Sequence, residues 1–302
     1  MLQTSTAHSV KGKLSIAPET VYVERLENSD ASEVLQFLSQ RSIHTVAMMS
    51  LIHDNGIVSQ FNRGTFYGCR DLKGQLEGVA LVGHATLMET VSDRALASLA
   101  QVARECPHTH MIMGETERVA DFWTHYSEAG RCQRLSCREW LLEFCRPTEA
   151  REPISSLRPA LREELELVMP IQAELAFAES GINPLDVDPD GFRQRCLRRI
   201  EQGRTWVVVE NGLLVFKADV ISKTPEVIYL EGVWLREDQR HQNAGIRFMS
   251  ELMRCLLADT KSVCLLVNET NKRAQGFYRK CGFNFRATYE TIFLPRKEQV
   301  QN

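Results

Sequence analysis

The stretch 229–283 constrains this chain more than any other, because it sets an order of elements and places a demanding loop inside it. Residues 229–235, Tyr-Leu-Glu-Gly-Val-Trp-Leu, read as a strand. Residues 240–246, Arg-His-Gln-Asn-Ala-Gly-Ile, read as a loop that opens a helix over 246–257. The segment 262–267 is nearly all apolar, as a central strand buried on both faces is. A second helix follows over 271–280, and a last strand over 283–293. A loop that opens a helix straight after a strand turns several main-chain N–H groups toward one point. The helix dipole adds positive potential there, so the point suits an anion such as a pyrophosphate.

Two motifs in this stretch resemble those of the GCN5-related N-acetyltransferases (GNAT). Arg240, Ala244 and Gly245 fit the family's phosphate loop, Gln/Arg-x-x-Gly-x-Gly/Ala, with Asn243 where the first glycine usually stands. Asn271, Ala274, Tyr278, Gly282 and Phe283 match Asn-x-x-Ala-x-x-x-Tyr-x-x-x-Gly-Phe without a gap. Either motif alone recurs by chance; in this order, with one helix and one strand between them, they are specific. The resemblance covers roughly the last half of the chain.

The resemblance implies an α/β fold on a central mixed, mostly antiparallel sheet. It also implies transfer of an acetyl group from acetyl-CoA to an amine of a small molecule or protein. It assigns cofactor binding to Val233, Trp234 and Leu235 on the fourth strand, to Arg240, His241, Gln242, Asn243, Ala244, Gly245 and Ile246 in the loop, and to Asn271, Ala274 and Tyr278. Tyr278 stands where the family carries the acid that protonates the leaving thiolate. Glu231 stands where several members carry a base. The same residues admit plainer readings. Tyr278 forms an apolar helical stripe with Ala274 and Cys281, Asn271 is a helix cap, and Glu231 is a solvated or structural carboxylate. Glu174, Glu179, Asp186 and Asp188 either line the acceptor pocket or form an exposed face and loop. A Cβ at Asn243 crowds a phosphate more than glycine does, but asparagine tolerates unusual backbone angles.

A length of 302 residues leaves room for a second domain before this one. The charged segment 146–153, with Pro147 and Pro153, reads as the join. This gives a flexible start (1–18), an N-terminal domain (19–148), a linker (149–153), the GNAT-like domain (154–295) and a tail (296–302). In the first half, strands are expected over 21–26, 66–70, 78–83, 111–113 and 140–144, and helices over 28–38, 43–53, 95–103 and 119–126. The connection 83–90 holds no Arg-x-x-Gly-x-Gly loop. This half reads either as an acetyltransferase-like shell without a cofactor site or as an unrelated α/β domain. In the second half, 163–169 and 170–179 read as helical, with Pro170 either opening a new turn or kinking one continuous helix, and 185–190 reads as an acidic loop before a helix over 192–200. Asn211-Gly212 marks a hairpin between 205–210 and 213–220.

A net charge of −3 gives no bulk pull toward nucleic acid or an anionic membrane, and no apolar run reaches membrane-spanning length. Nine scattered cysteines without zinc spacing read as reduced thiols of a cytoplasmic protein, and no metal site is expected. The polar start shows no signal peptide. A monomer or homodimer is expected. Two other functions fit the same residues: a CoA-binding regulatory or scaffold protein without turnover, and catalysis on a protein delivered by the N-terminal half.

Overall fold

The computed structural model describes residues 21–145, 154, 156–240 and 243–295. The expected flexible start (1–18), linker (149–153) and tail (296–302) lie outside these residues. The first half runs β1 (Val21–Arg25), α1 (Ala31–Ser39), α2 (Ser42–Asn55), β2 (Gly64–Asp71), β3 (Leu76–Gly83), β4 (Ala85–Thr90), α3 (Asp93–Glu105), β5 (Met111–Glu115), α4 (Thr116–Tyr126) and β6 (Leu135–Phe144). The second half opens with β7 (Leu157–Pro159), α5 (Leu165–Ser180), α6 (Pro184–Val187), α7 (Pro189–Glu201), β8 (Thr205–Glu210) and β9 (Leu213–Lys223). It continues with β10 (Val227–Leu235), α8 (Ala244–Leu256), β11 (Ser262–Asn268), α9 (Lys272–Lys280) and β12 (Asn284–Phe293).

Two expectations are corrected. The connection 83–90 contains a strand, β4, which pairs in parallel with β5. The acidic stretch 185–190 is not a loop: it holds the end of α6 and the start of α7. Each of these helices begins with a proline, whose fixed φ suits the first helical position, and each is capped by a side chain, Asn183 or Asp188. Pro170 lies inside α5 without ending it. The hairpin turn has Asn211 at φ 51° and Gly212 at φ 73°, the two left-handed positions that a type I′ turn needs.

All strands join one sheet, in the order β1-β2-β3-β4-β5-β12-β6-β11-β10-β9-β8-β7. The order is symmetric about its centre, and it shows that the two halves exchange their last strands. The last strand of the chain, β12, pairs with β5 of the first half, with Thr291 opposite Met113. The last strand of the first half, β6, pairs with β11 of the second, with Leu142 opposite Leu265. At the centre β6 and β12 pair with each other. Among the described residues only β4–β5 and β10–β11 are parallel, so the sheet is mixed and mostly antiparallel.

The cores follow the exchange. Leu142 and Phe144 of β6 pack with Met249, Leu252 and Met253 of α8 in the second half. Ile292 of β12 and Leu294 pack with Leu99 and Phe122 in the first. Burying one such side chain is worth about 1.5–3 kcal/mol, so each half gains a sizeable part of its core from the other. Helix α2 adds a third link. Its Val46 packs against Tyr229, Cys264 and Tyr289, its Ser50 Oγ accepts from Lys223 N at 3.0 Å, and Asp54 pairs with Arg204 at 2.6 Å. Among the described residues no helix is long and apolar enough to cross a membrane.

Candidate active site

The strands β10 and β11 pair only from Val227 opposite Ser262 to Leu230 opposite Leu265. Beyond that β10 stays with β9 and β11 stays with β6, so a wedge opens between two parallel strands. A bulge drives the parting. Glu231 lies opposite Asp219 and Trp234 opposite Lys217, so β10 spends one residue more than β9 there. Gly232 takes φ 59° at the bulge, and a Cβ on it would lie 2.8 Å from Lys217 Nζ.

Lys217 and Asp219 hold the bulge from beneath, both 0% exposed. Lys217 Nζ donates to Asp219 Oδ2 at 2.6 Å, Gln172 Oε1 at 2.6 Å and the Gly232 carbonyl at 3.3 Å. Asp219 also accepts from Thr205 Oγ1 at 2.8 Å and Arg199 Nη1 at 3.1 Å. Burial works against charge on Asp219, but Lys217, Arg199 and Thr205 outweigh it and hold the carboxyl below its usual range. Removing one partner of such a pair costs about 3–5 kcal/mol, because the other is left buried and uncompensated. Sequence reading missed this pair, although opposite charges two apart in an apolar strand, Phe216-Lys217-Ala218-Asp219, are a legible signal for it.

Val233, Trp234 and Leu235 therefore lie along the wedge, with β9 on one side only. Asn243, at the cap position of α8, has φ 55° and ψ 9°, the left-handed conformation that glycine supplies most easily. That conformation is why asparagine stands in for the first glycine of the loop. Its side chain caps nothing, so the first-turn N–H groups of α8, from Ala244 through Ile246, have no side-chain partner from the cap. Gly245 is a glycine for a different reason. A Cβ there would lie 3.0 Å from Leu235 Cδ2 and 3.1 Å from Phe277 Cε2, so its absence lets α8 approach both β10 and α9. Arg240 Nε donates to the Leu235 carbonyl at 3.0 Å, which ties the loop to the end of β10. His241 and Gln242 lie outside the described residues.

Asn271 caps α9 by accepting from Ala274 N at 3.0 Å, and Ala274 packs on the core of the second half. Tyr278 is half-buried in that core, its ring 5.3 Å from Phe277 and 5.6 Å from Phe283. Its hydroxyl has no hydrogen-bond partner among the described residues, and burial pushes its pKa well above the ordinary phenol value.

Three carboxylates from different elements converge near the wedge. Burial raises Glu231, which the Tyr229 hydroxyl and Arg199 only partly offset. Glu179, at the end of α5 and itself exposed, is raised by burial around its carboxyl and by the charges of Glu231 and Glu139. Glu139 was not foreseen, because it belongs to the first half and reaches this site only through the exchanged strand β6, opposite Asn268. It is 9% exposed, accepts from Thr291 Oγ1 at 2.8 Å, and is pushed up to about 6 by burial and by Glu231. Glu174 and Asp186 are exposed, and Asp188 is spent capping α7 and pairing with Arg195 at 3.0 Å. No three His, Cys, Asp or Glu among the described residues are placed to hold a metal ion.

The first half has a matching wedge. Its strands β4 and β5 pair from Ala85 opposite Met111 to Leu87 opposite Met113 and then part. The helix that follows differs. Only Val91 and Ser92 separate β4 from α3; Ser92 Oγ caps the helix by accepting from Ala95 N at 3.3 Å, and Asp93 lies in the first turn. A capped end with a negative charge repels a phosphate.

Comparison with known proteins agrees with this geometry. Residues 201–285 match the family model of the acetyltransferase (GNAT) domain. No curated protein sequence matches the chain. Among solved structures, a GNAT-family acetyltransferase from Colwellia psychrerythraea aligns with 91% of this chain and 100% of its own, at 12% identity and TM-score 0.56. A GCN5-related N-acetyltransferase from Sphaerobacter thermophilus aligns over 91% and 96%, at 14% identity and TM-score 0.54. A tandem GNAT protein from the clavulanic acid biosynthesis pathway aligns over 90% and 98%, at 12% identity and TM-score 0.50. The chain therefore has the fold of a tandem GNAT protein, with the family's own domain signature in its second half.

Proposed function

From a GNAT domain at 201–285 and a tandem fold around it, we propose that the second half is an acetyl-CoA-dependent N-acetyltransferase acting on an amine. One observation carries the reading: an open strand wedge leads to a helix end whose cap residue, Asn243, is held left-handed and leaves the first-turn N–H groups uncapped. The residues fit CoA in chemistry as well as in place. The first turn of α8 binds the pyrophosphate, with Arg240 beside it. The free edge at Val233, Trp234 and Leu235 pairs with the amide arm, and Asn271 and Ala274 border that arm. Acetyl-CoA supplies the thioester whose acetyl group is transferred.

The chain's own groups supply the rest. A main-chain N–H at the end of β10 donates to the oxygen that gains charge when the amine attacks. Glu231, with Glu139 beside it, accepts a proton from the incoming ammonium, a role suited to carboxyls raised toward neutrality. Tyr278 donates a proton to the departing sulfur. An ordinary phenol already keeps that proton at neutral pH, and the burial that raises Tyr278 further works against giving it up. The free state of all nine cysteines fits a cytoplasmic setting, and we place the protein there as a monomer or homodimer.

The test is thiol release from acetyl-CoA across a panel of primary amines. Turnover that depends on the amine supports the reading; CoA binding without release from any amine points to the alternative, a CoA-binding regulator. The feature that favours that alternative is Tyr278, a half-buried side chain packed against the core whose hydroxyl has no partner among the described residues.

A further inference from the structure

The wedge of the first half opens into a cleft of about 940 Å³, in the upper range of small-ligand sites. Its wall includes an open strand edge. On its first-half side β12 pairs with β5 only as far as Tyr289 opposite Glu115, yet β12 continues to Asn284 with β6 alone. Residues 284–288 therefore present a strand edge without a ladder partner, and Phe285, Ala287 and Thr288 line the cleft. Two large apolar side chains here are exposed, Val91 at 62% and Phe285 at 51%, the latter edge-on to Trp140.

A second, independent observation points to a ligand. Thr90 is 3% exposed and lines the cleft, and its Oγ1 has no hydrogen-bond partner among the described residues; Thr116 Oγ1, at the start of α4, is in the same condition. A buried hydroxyl without a partner costs about 1–3 kcal/mol, a penalty that a bound donor or acceptor removes. The charges give the sign. Glu89, Glu115, Glu117 and Asp121 face two cations, Arg41 and Arg118. Arg41 is already divided between Glu89 at 3.1 Å and Glu115 at 2.6 Å, and Arg118 lies 3.6 Å from Asp93.

We propose that this cleft binds a short, extended, positively charged peptide segment. Its main chain adds to the open edge of β12, the mode by which strand edges commonly take peptides. Its apolar side chains cover Phe285 and Val91, its polar groups reach Thr90 and Thr116, and its cation sits at Glu117 and Asp121, the cleft carboxylates that no arginine pairs among the described residues. The capped, acidic end of α3 excludes phosphorylated chains such as CoA from the same place. The proposal does not depend on acetyl transfer in the second half, so either can fail alone.

The test uses the full chain without acetyl-CoA, followed by amide NMR shifts. The probes are an N-acetylated, C-amidated tripeptide with a central lysine, the same peptide with glutamate, and pantetheine as an uncharged amide chain. The lysine peptide should shift residues 88–91, 114–118 and 285–288, and bind at least about five-fold tighter than the other two probes, one ion pair's worth of affinity. Glu117→Gln with Asp121→Asn should weaken it about five-fold. Val91→Arg, at an exposed position that does not threaten folding, should weaken it at least ten-fold. Shifts confined to 231–235 and 243–247, equal affinity for the glutamate peptide or pantetheine, or indifference to both variants would each overturn the proposal.

Discussion

The two halves carry the same wedge and differ in the helix that follows it. In the second half the helix begins at a left-handed Asn243 that caps nothing; in the first it begins at Ser92, which caps it, and carries Asp93 in its first turn. On the proposed reading, a fold that presents two parallel strands parting at a helix end is not by itself an anion site. Whether the helix end is free decides it. The wedge floors differ as well. Beneath β10 lies the sealed pair Lys217 and Asp219, whereas the first half has Arg41 spread between Glu89 and Glu115 beside an open cleft.

The largest expected effect concerns the exchange of strands. If each half depends on the other's last strand, the pieces 1–148 and 154–302 should not fold as separate monomers, while co-expression should restore a 1:1 complex. Cleavage between them should leave them associated on size exclusion. A folded, monomeric 154–302 by circular dichroism and sedimentation would break the account of shared cores.

Next is the proposed proton donor, Tyr278. Tyr278→Phe keeps the ring that packs on Phe277 and Phe283, so stability should change little. General acid catalysis contributes about 10²–10⁴-fold, and kcat should fall within that range while acetyl-CoA affinity holds. An unchanged kcat, where chemistry limits turnover, would return Tyr278 to packing alone.

Gly245→Val sharpens the comparison at the helix end. The added carbons meet Leu235 and Phe277 at close range, and overpacking of this kind costs about 1–3 kcal/mol. Thermal denaturation should register that loss, and acetyl-CoA protection should fall about ten-fold or more, the displacement of α8 being worth at least that. The cleft of the first half should be untouched.

Glu139 gives a pH signature that ties the halves together. Its folded pKa, about 6, lies above its unfolded value, so the folded state holds the proton more tightly. Its contribution to stability is therefore greatest below the unfolded pKa, falls as pH rises through the folded one, and then stays flat. The loss is on the order of 2 kcal/mol. Glu139→Gln should remove that step, so denaturant midpoints should show the variant gaining on the wild type between pH 4.5 and pH 7.5. Parallel curves would mean that Glu139 is not held protonated by its surroundings.

Much of the second half was legible because its chemistry is local. The loop 240–246, the cap Asn271 and the hairpin at Asn211-Gly212 are each set by residues a few positions apart. The left-handed turn at Asn243 was foreshadowed by the residue type itself. What stayed hidden is not local. Nothing in Leu135–Phe144 or Asn284–Phe293 says which half each strand joins, since both alternate in the same way and both pair with either neighbour. Glu139 was invisible as a site residue for that reason. The strand β4 was missed because Ala85-Thr86-Leu87-Met88 is covered on both sides and lacks the alternation that marks a half-exposed strand.

The most direct test of the central claim, one free helix end and one blocked, is the stoichiometry of acetyl-CoA binding by isothermal titration of the full chain. One site per chain is expected, lost or weakened at least ten-fold in Gly245→Val and unchanged in Val91→Arg, which lies in the cleft of the first half. No binding at millimolar acetyl-CoA, or two sites of which one survives Gly245→Val and responds to Val91→Arg, would contradict it.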